Sequence, residues 1–436
     1  MKMHDKLLFI LVCLVFLFGT FASNVLSIST PIGEMYVLRI SILLAGILFF
    51  VSRVSTRKQA IGFSNNKYAV FWFFLLFYSL FQLLWVKEFF EWFKSFFIFF
   101  EVFLFFTIFP SVLNTKKRLI ICLYLLEISI IVQMIIGGYE AFTGDYLIQT
   151  KYIDSYFRLQ SLSSTGFYTP VAMMYNPNDY ATALIVGACV ATILFHQSKR
   201  LLVKLLHLVV LLACAPLIYC SDSRACLIAY GLIIVLYVLL FVKKRWIKLL
   251  SLVALIIVGL IVVPRLETFF YDANIAESDE IRLSLIFDGF YFLLSTFFMG
   301  VGFGQVSWWY SNNHYFSQGI VLIPHNWWIE AMMTFGLIFF LIYLWLYFYE
   351  LRCLVLFAKK GGNNREKALF KGFILFLIVF VAVSISSSSL FKTEYIWAFF
   401  ALINSFILYF SKKAKKGNVL LDKTTRRADE TFCTNL

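Results

Sequence analysis

Apolar runs of about 20 residues alternate with short polar connections along almost the whole chain. An α-helix of that length crosses a bilayer, whereas a membrane β-barrel would show alternating polar and apolar positions. The pattern therefore predicts an all-α, polytopic integral membrane protein. The predicted spans are residues 7–26, 35–51, 68–86, 93–110, 119–136, 178–195, 201–220, 224–242, 247–264, 326–349, 369–390 and 394–411. A further apolar stretch, residues 283–299, is ambiguous by length alone.

Lysines and arginines indicate how the spans face, because cytoplasmic connections are enriched in both. Basic clusters fall in alternate connections, at residues 53–58, 116–118, 199–200, 243–245 and 412–416. If residues 283–299 crossed the membrane, the basic loop between the tenth and eleventh predicted spans and the basic cluster at residues 412–416 would both lie outside. That placement would go against the enrichment of basic residues on the cytoplasmic side. We therefore expect about twelve spans with cytoplasmic N- and C-termini, and an interfacial or re-entrant helix at residues 283–299.

This topology predicts one transmembrane domain over residues 1–411. Its long external segments comprise about residues 137–177 and 265–325, and the second contains the interfacial helix. Residues 412–436 form a basic cytoplasmic tail.

Composition excludes several classes of protein. The chain is 61% hydrophobic and 14% charged, which rules out a soluble enzyme, a disordered chain and a disulfide scaffold. The net charge of +14 is explained by membrane orientation, so no nucleic-acid partner is expected. Eight cysteines lie mostly in apolar runs and form no metal-binding pattern, so no metal site is predicted.

Pro324-His325-Asn326 opens the tenth predicted span. A helix start explains Pro324 and the capping residue Asn326, with the following tryptophans as interfacial anchors, but it does not require His325. A helix N-terminus disfavours an imidazolium, so His325 is expected to be neutral and suited to general-base work. Glu330 lies on about the same helix face and could orient the histidine, or it could be a buried partner of an arginine.

Arginines stand at the outer ends of several apolar segments. Arg224 follows Ser-Asp-Ser at the eighth span, and Arg282 precedes residues 283–299. Taken singly, each is explained as a snorkelling anchor or as a partner of nearby acids. Together with an external histidine they suggest a phosphate site, because the guanidinium group binds phosphate bidentately. Arg39, near the outer end of its span, could join them.

Other polar residues have weaker signals. In Asn176-Pro177-Asn178-Asp179, we predict that Asn178 caps a helix and that Asp179 lies in its first turn. Both residues are also candidates for binding an acceptor sugar. Glu101 and Glu127 lie within spans and should face protein or a cavity, but the sequence suggests no role for them.

These motifs resemble the O-antigen ligase and Wzy-type polysaccharide polymerase superfamily. The resemblance rests on Asn-Pro-Asn-Asp at 176–179, Ser-Asp-Ser-Arg at 221–224 and Arg282 ahead of Gly300-Val-Gly-Phe-Gly. It also rests on Pro324-His325-Asn326 with Glu330 and Gly336. The matching positions cover roughly residues 170–350.

The resemblance implies a metal-independent, inverting glycosyltransferase without a cofactor, in the bacterial cytoplasmic (inner) membrane with its active site facing outward. The implied donor is an undecaprenyl-pyrophosphate-linked glycan. His325 would then be the catalytic histidine, and Arg224 and Arg282 would bind the pyrophosphate. Glu330, on the same helix face as the histidine, is the second candidate catalytic residue, which could orient His325 or shape the pocket. Membrane lipids are expected partners, and a chain-length regulator is a candidate partner.

The expected function is polymerisation of lipid-linked repeat units of O-antigen or capsular polysaccharide. One alternative is a ligase that transfers the glycan to lipid A core or another acceptor. A flippase for lipid-linked oligosaccharides is the alternative from another class. It should carry cations deep within the bundle, whereas the basic residues outside the cytoplasmic loops cluster here at one face.

Overall fold

The computed structural model describes residues 3–21, 25–30, 33–56, 66–148, 162, 165–174, 176–265, 273–317, 321–360, 362–385, 389, 391 and 393–416. Side chains are described in these ranges except at 55–56, 258–265, 273–279 and 415–416. The helices are α1 (Met3–Leu17), α2 (Val37–Thr56), α3 (Lys67–Gln82), α4 (Phe89–Val112), α5 (Lys116–Thr143), α6 (Pro177–Gln197), α7 (Leu201–Cys220), α8 (Arg224–Phe241), α9 (Arg245–Arg265), α10 (Ala273–Ser295), α11 (Val306–Asn312), α12 (Trp327–Phe335), α13 (Leu337–Lys360), α14 (Asn364–Val383) and α15 (Glu394–Lys416).

The fold is that of a polytopic helical membrane protein, as the sequence predicts. Within the described residues, eight helices are long and apolar enough to cross a membrane: α2, α4, α5, α6, α7, α8, α13 and α15. Helix α3 is apolar but shorter. The exact number of spans and their orientation stay predictions. A two-stranded antiparallel hairpin, β1 (Ser27–Thr30) and β2 (Gly33–Tyr36), was not predicted.

The tenth predicted span is broken, and the prediction of one helix over residues 326–349 was wrong. Helix α12 ends at Phe335, and Gly336 adopts a φ of 78° before α13 begins. This left-handed region favours glycine, because a Cβ would clash with the backbone. The residues before Gly336 therefore form a short, separate helix at the end of a long one.

A turn after α10 packs directly against this break. The N–H of Leu337 donates to the carbonyl of Phe298 (2.9 Å), and the N–H of Val301 donates to that of Met333 (2.7 Å). A Cβ on Gly300 would lie 2.5 Å from the nitrogen of the glycine at the break. Two glycines thus allow backbone to meet backbone, and the turn satisfies groups that the interrupted helix leaves without partners.

The connection between α3 and α4 holds the other side of the turn. The indole N–H of Trp85 donates to the carbonyl of Gly300 (3.0 Å). The backbone N–H groups of Lys87 and Glu88 both donate to Oε1 of Gln305 (2.9 Å each). The residues from 298 to 305 are therefore attached to two different parts of the helical bundle.

Helix α5 continues beyond the predicted fifth span, to Thr143, and ends at Gly144 with a φ of 74°. The external location of the segment that follows stays a prediction. The last residues of this segment contact α5. The N–H groups of Val171 and Ala172 donate to Oε2 of Glu140 (3.0 and 2.7 Å), and both residues are buried. Much of the remainder of this segment, from 149 to 164, lies outside the described residues apart from residue 162.

The two acids within spans have partners that the sequence did not reveal. Oε1 of Glu127 lies 2.7 Å from Nδ1 of His207, whose Nε2 lies 3.1 Å from the hydroxyl of Ser198. Glu101 forms an ion pair with Arg39 at 3.6 Å. Both contacts follow the rule that ionisable groups in apolar surroundings face one another rather than lipid.

We expect Gly300→Ala to destabilise the protein by about 2 kcal/mol or more, because Ala adds left-handed backbone strain and an overlap with backbone atoms. Thermal unfolding of the purified chain in detergent measures this. Gly231→Ala in α8 is the matched control, since the residue is helical and, beyond its own helix turn, no atom of the described residues lies within 4 Å of the position that its added Cβ would take. Equal unfolding temperatures for both variants would contradict the close packing of the turn.

Candidate active site

The predicted site residues gather at one end of the bundle, which we call the mouth: the end at which α2, α4, α6, α8, α12 and α15 begin. Arg39 at the start of α2 meets Glu394 at the start of α15. Thr182 in the first turns of α6 lies 3.8 Å from Cys226 in α8. The ring of Trp327, first in α12, packs on that of Trp397 in α15 (4.7 Å). Helix starts that are distant in sequence thus meet in space.

His325 stands immediately before the cap of α12. Asn326 caps the helix, since its Oδ1 accepts from the N–H groups of Trp328 (3.1 Å) and Ile329 (3.2 Å). His325 itself has a φ of 48°, an uncommon conformation for a residue with a side chain. Its Nδ1 is buried and has no hydrogen-bond partner among the residues that the structure describes. The role of His325 as the catalytic base stays a prediction.

Arg282 is close enough to His325 to act on its ionisation. Burial and the positive charge of Arg282 together lower the pKa of His325 to about 4. Both effects disfavour the charged imidazolium, so the ring is neutral at physiological pH. Arg282 is half-buried on α10, and the structure thus brings together the predicted catalytic histidine and one predicted phosphate ligand.

Glu330 lies in the first turn of α12 and is 7% exposed. Its Oε1 accepts a hydrogen bond from the hydroxyl of Ser389 (2.8 Å), and its side chain lines a cavity at the mouth. Glu330 therefore participates in the wall of this cavity, and its role in orienting His325 stays a prediction.

The cavity has a volume of about 340 Å³ and lies between the start of α4, helix α11 and helix α12. Carboxylates, hydroxyls and an indole line it, together with a few apolar side chains. Its polar and aromatic lining residues are Glu88, Glu91, Ser95, Phe99, Ser307, Trp308, Ser311, Asn312, Glu330, Thr334, Ser389 and Phe391. Of these, the sequence analysis singled out Glu330.

The start of α6 is capped by Asn176 rather than by Asn178, so the interpretation of Asn178 as the cap was wrong. Oδ1 of Asn176 accepts from the N–H of Asp179 (2.9 Å), and its Nδ2 donates to Oδ2 of Asp179 (2.7 Å). Pro177 occupies the first helical position, where its missing N–H has no cost. Asn178 remains half-buried and Asp179 is buried beside α15, where it interacts electrostatically with Tyr395.

Arg224 is the first residue of α8 and follows the cap Ser223. Asp222 before it adopts a φ of 58°, which turns the chain sharply out of α7. Arg224 is half-buried at the mouth, on the side where α8 adjoins α6.

Arg39 is 8% exposed and already bound to protein groups. Its Nη2 donates to Oε1 of Glu394 (2.6 Å), and its Nη1 donates to the carbonyl of Glu34 (3.1 Å). The role of Arg39 in binding pyrophosphate stays a prediction, and any phosphate there would share the guanidinium with a carboxylate.

Trp327 differs from its predicted role as an interfacial anchor. It is 2% exposed and packs on Phe391 (4.5 Å) as well as on Trp397. Its N–H donates to the carbonyl of Ser384 at the end of α14 (2.9 Å). The residue therefore attaches the start of α12 to the core, and only its partners from distant helices could have shown this.

Comparisons with known proteins indicate which family this chain resembles. Residues 209–344 match the O-antigen ligase family, a segment that includes Arg224, Arg282, His325 and Glu330. The teichuronic acid biosynthesis protein TuaE of Bacillus subtilis (strain 168) is 25% identical over 414 residues, which cover 91% of this chain and 83% of that protein. These findings confirm the resemblance to the O-antigen ligase and Wzy-type superfamily, and they support a ligase- or polymerase-type function.

We expect Arg282→Gln to raise the pKa of His325, because it removes a positive charge that disfavours the imidazolium. Burial remains, so the pKa should rise only part of the way from about 4 to its ordinary 6.5. NMR titration of labelled histidines in the purified chain measures the shift. Arg224→Gln is the control, since Arg224 is not among the charges that shift His325. An unchanged pKa in Arg282→Gln would contradict their proximity.

Proposed function

We propose that this chain is a membrane glycosyltransferase that polymerises undecaprenyl-pyrophosphate-linked repeat units at the outer face of the bacterial cytoplasmic membrane. The observation that carries the proposal is the pair of His325 and Arg282, which lies within the segment that matches the O-antigen ligase family. The pair combines a neutral base with a permanent cation.

The proposed topology places the mouth outside. It has about twelve spans and cytoplasmic termini, and α10 lies in the membrane interface. The eight apolar helices and the alternating basic connections support it. Since the lipid-linked donor has no nucleotide, its energy comes from the pyrophosphate leaving group, which suits a reaction outside the cell.

In the proposed mechanism, Arg224 and Arg282 bind the pyrophosphate of the donor while its lipid lies between helices. An acceptor hydroxyl attacks the anomeric carbon from the face opposite the pyrophosphate. Its proton passes to His325, and the bond from the anomeric carbon to the pyrophosphate oxygen breaks. Undecaprenyl pyrophosphate leaves with the bonding electrons, and the configuration of the sugar inverts. The arginines neutralise the charge that develops, so the mechanism requires no metal ion.

Binding of the donor would also make His325 a better base. The positive charge of Arg282 holds the pKa of free His325 low. A pyrophosphate on Arg282 would offset this charge and raise the pKa toward the working pH, where general bases are most effective. The histidine would thus be activated only when a donor is present.

A ligase is the second candidate, because the matching family is described as O-antigen ligase. It would use the same donor site and transfer the glycan to a different acceptor. The products distinguish the two: a polymerase extends lipid-linked glycan when given repeat units alone, whereas a ligase forms product only when lipid A core or another acceptor is added.

We expect His325→Ala to reduce polymer formation about 10²- to 10⁴-fold, since general-base catalysis typically contributes that much. The assay supplies lipid-linked repeat units to membranes with matched protein levels, and gel electrophoresis measures chain length. The capping residue Asn326 is untouched, so insertion should be normal. Normal polymer in this variant would overturn the catalytic role, and is what a flippase or a structural subunit would give.

Conservative arginine variants test the proposed phosphate contacts. We expect Lys at position 224 or 282 to lower the rate roughly 10- to 100-fold, because Lys cannot donate two parallel hydrogen bonds to one phosphate. Arg265→Lys at the end of α9 is the matched control and should be tolerated, since Arg265 matches no family motif. Full activity in both site variants would leave only an anchoring role for these arginines.

A further inference from the structure

The cavity beside α12 is fixed on several sides by backbone contacts. A Cβ on Gly304 would lie 2.2 Å from the carbonyl oxygen of Glu91 and 2.9 Å from Oγ of Ser95. The φ of Gly304 is 70°, a backbone conformation that favours glycine. Both the lack of space for a Cβ and the backbone conformation therefore favour glycine at this position. Its neighbours along the chain therefore press against α4, and the wall that bears Trp308 is attached to the wall that bears Glu91.

One buried polar group in the wall is without a protein partner. Thr334 is 2% exposed and lines the cavity, and its Oγ1 has no hydrogen bond to any residue in the described ranges. A buried hydroxyl without a partner costs free energy, which a ligand hydroxyl or amide could recover. This is an indication of a ligand that is independent of the charges nearby.

The charges favour some ligands over others. Three carboxylates line the cavity, from Glu88, Glu91 and Glu330, and no lysine or arginine is among the described lining residues. Lys94 pairs with Glu91 at 2.6 Å and offsets part of this charge. The remaining negative charge disfavours phosphates and carboxylates. Carboxylates accept hydrogen bonds from hydroxyl and amino groups, and the indole of Trp308 offers a flat apolar face.

We propose that this cavity is a binding subsite for one sugar unit of the glycan, and that it selects neutral or amino-bearing sugars over uronic acids. The inference rests on the proposed function, which supplies the glycan. Glu330 lies about one helical turn into α12, and His325 immediately precedes the cap of that helix. A sugar in the cavity would therefore lie near the proposed base, while the pyrophosphate would lie on the arginines.

Direct binding tests the subsite without requiring transfer. The full chain in nanodiscs is titrated with two disaccharides, neutral N,N′-diacetylchitobiose and one that carries a glucuronic acid carboxylate, and saturation-transfer NMR measures both affinities. We expect the neutral probe to bind at least about 10-fold more tightly. Thr334→Val should weaken its binding about 3- to 10-fold, and Trp308→Ala about 10-fold. Replacing Glu88 and Glu91 by Gln should reduce the discrimination at least about 5-fold.

Matched controls separate binding from folding. Thr107→Val removes a hydroxyl that also has no partner in the described structure but does not line the cavity. Trp345→Ala removes an exposed tryptophan of α13. Both controls should bind like the unmodified chain. If Thr334→Val fails to fold, Trp308→Ala and the exposed glutamates still test the site.

Two results would overturn the subsite. One is equal affinity for both probes. The other is unchanged binding of the neutral probe in both Trp308→Ala and a folded Thr334→Val. Neither result affects the proposed reaction, which depends on the variants of His325 and the arginines. Separate variation of donor and acceptor in the transfer assay then assigns the subsite. In Trp308→Ala the KM rises for whichever substrate places its sugar there.

Discussion

The backbone contact between residues 298–301 and 333–337 determines where the candidate site lies. A break in a helix leaves N–H and carbonyl groups that apolar surroundings cannot satisfy, so other protein groups must satisfy them. Here the turn after α10 does so, through the close approach that Gly300 and Gly336 permit. The same contact fixes the end of α10 against α12. Arg282 on α10 and His325 before α12 consequently lie near each other, although 43 positions separate them along the chain.

The sequence predicted the membrane class well because uninterrupted apolar runs are a strong signal, whereas the interruption of one run was missed. An isolated glycine such as Gly336 is common in membrane helices, so it gives no warning of a break without knowledge of the turn that packs on it. The misplaced cap of α6 has a more local cause. Asn176 and Asn178 are both suitable caps, and the position of Pro177 as the first helical residue decides between them.

Partners of buried charges were the least predictable feature, because they come from distant parts of the chain. Arg39 and Glu394 are separated by 355 positions, and Glu127 and His207 by 80. Sequence spacing can suggest that an intramembrane charge needs a partner but not which residue supplies it. A phosphate at Arg39 would have to compete with Glu394, whose carboxylate already accepts hydrogen bonds from the Arg39 guanidinium.

Groups of opposite charge lie near the start of α12. Arg282 lies near His325, which precedes the cap of α12. Glu330 lines the cavity together with the carboxylates of Glu88 and Glu91. In the proposed reaction an anionic leaving group and an uncharged sugar must occupy neighbouring positions, and this separation of charge would give each a different site. A pyrophosphate in the cavity would meet carboxylates, and a sugar hydroxyl by the arginine would lack an acceptor. The electrostatics would therefore set the direction in which the substrates bind, because either substrate in the wrong position forfeits its favourable contacts.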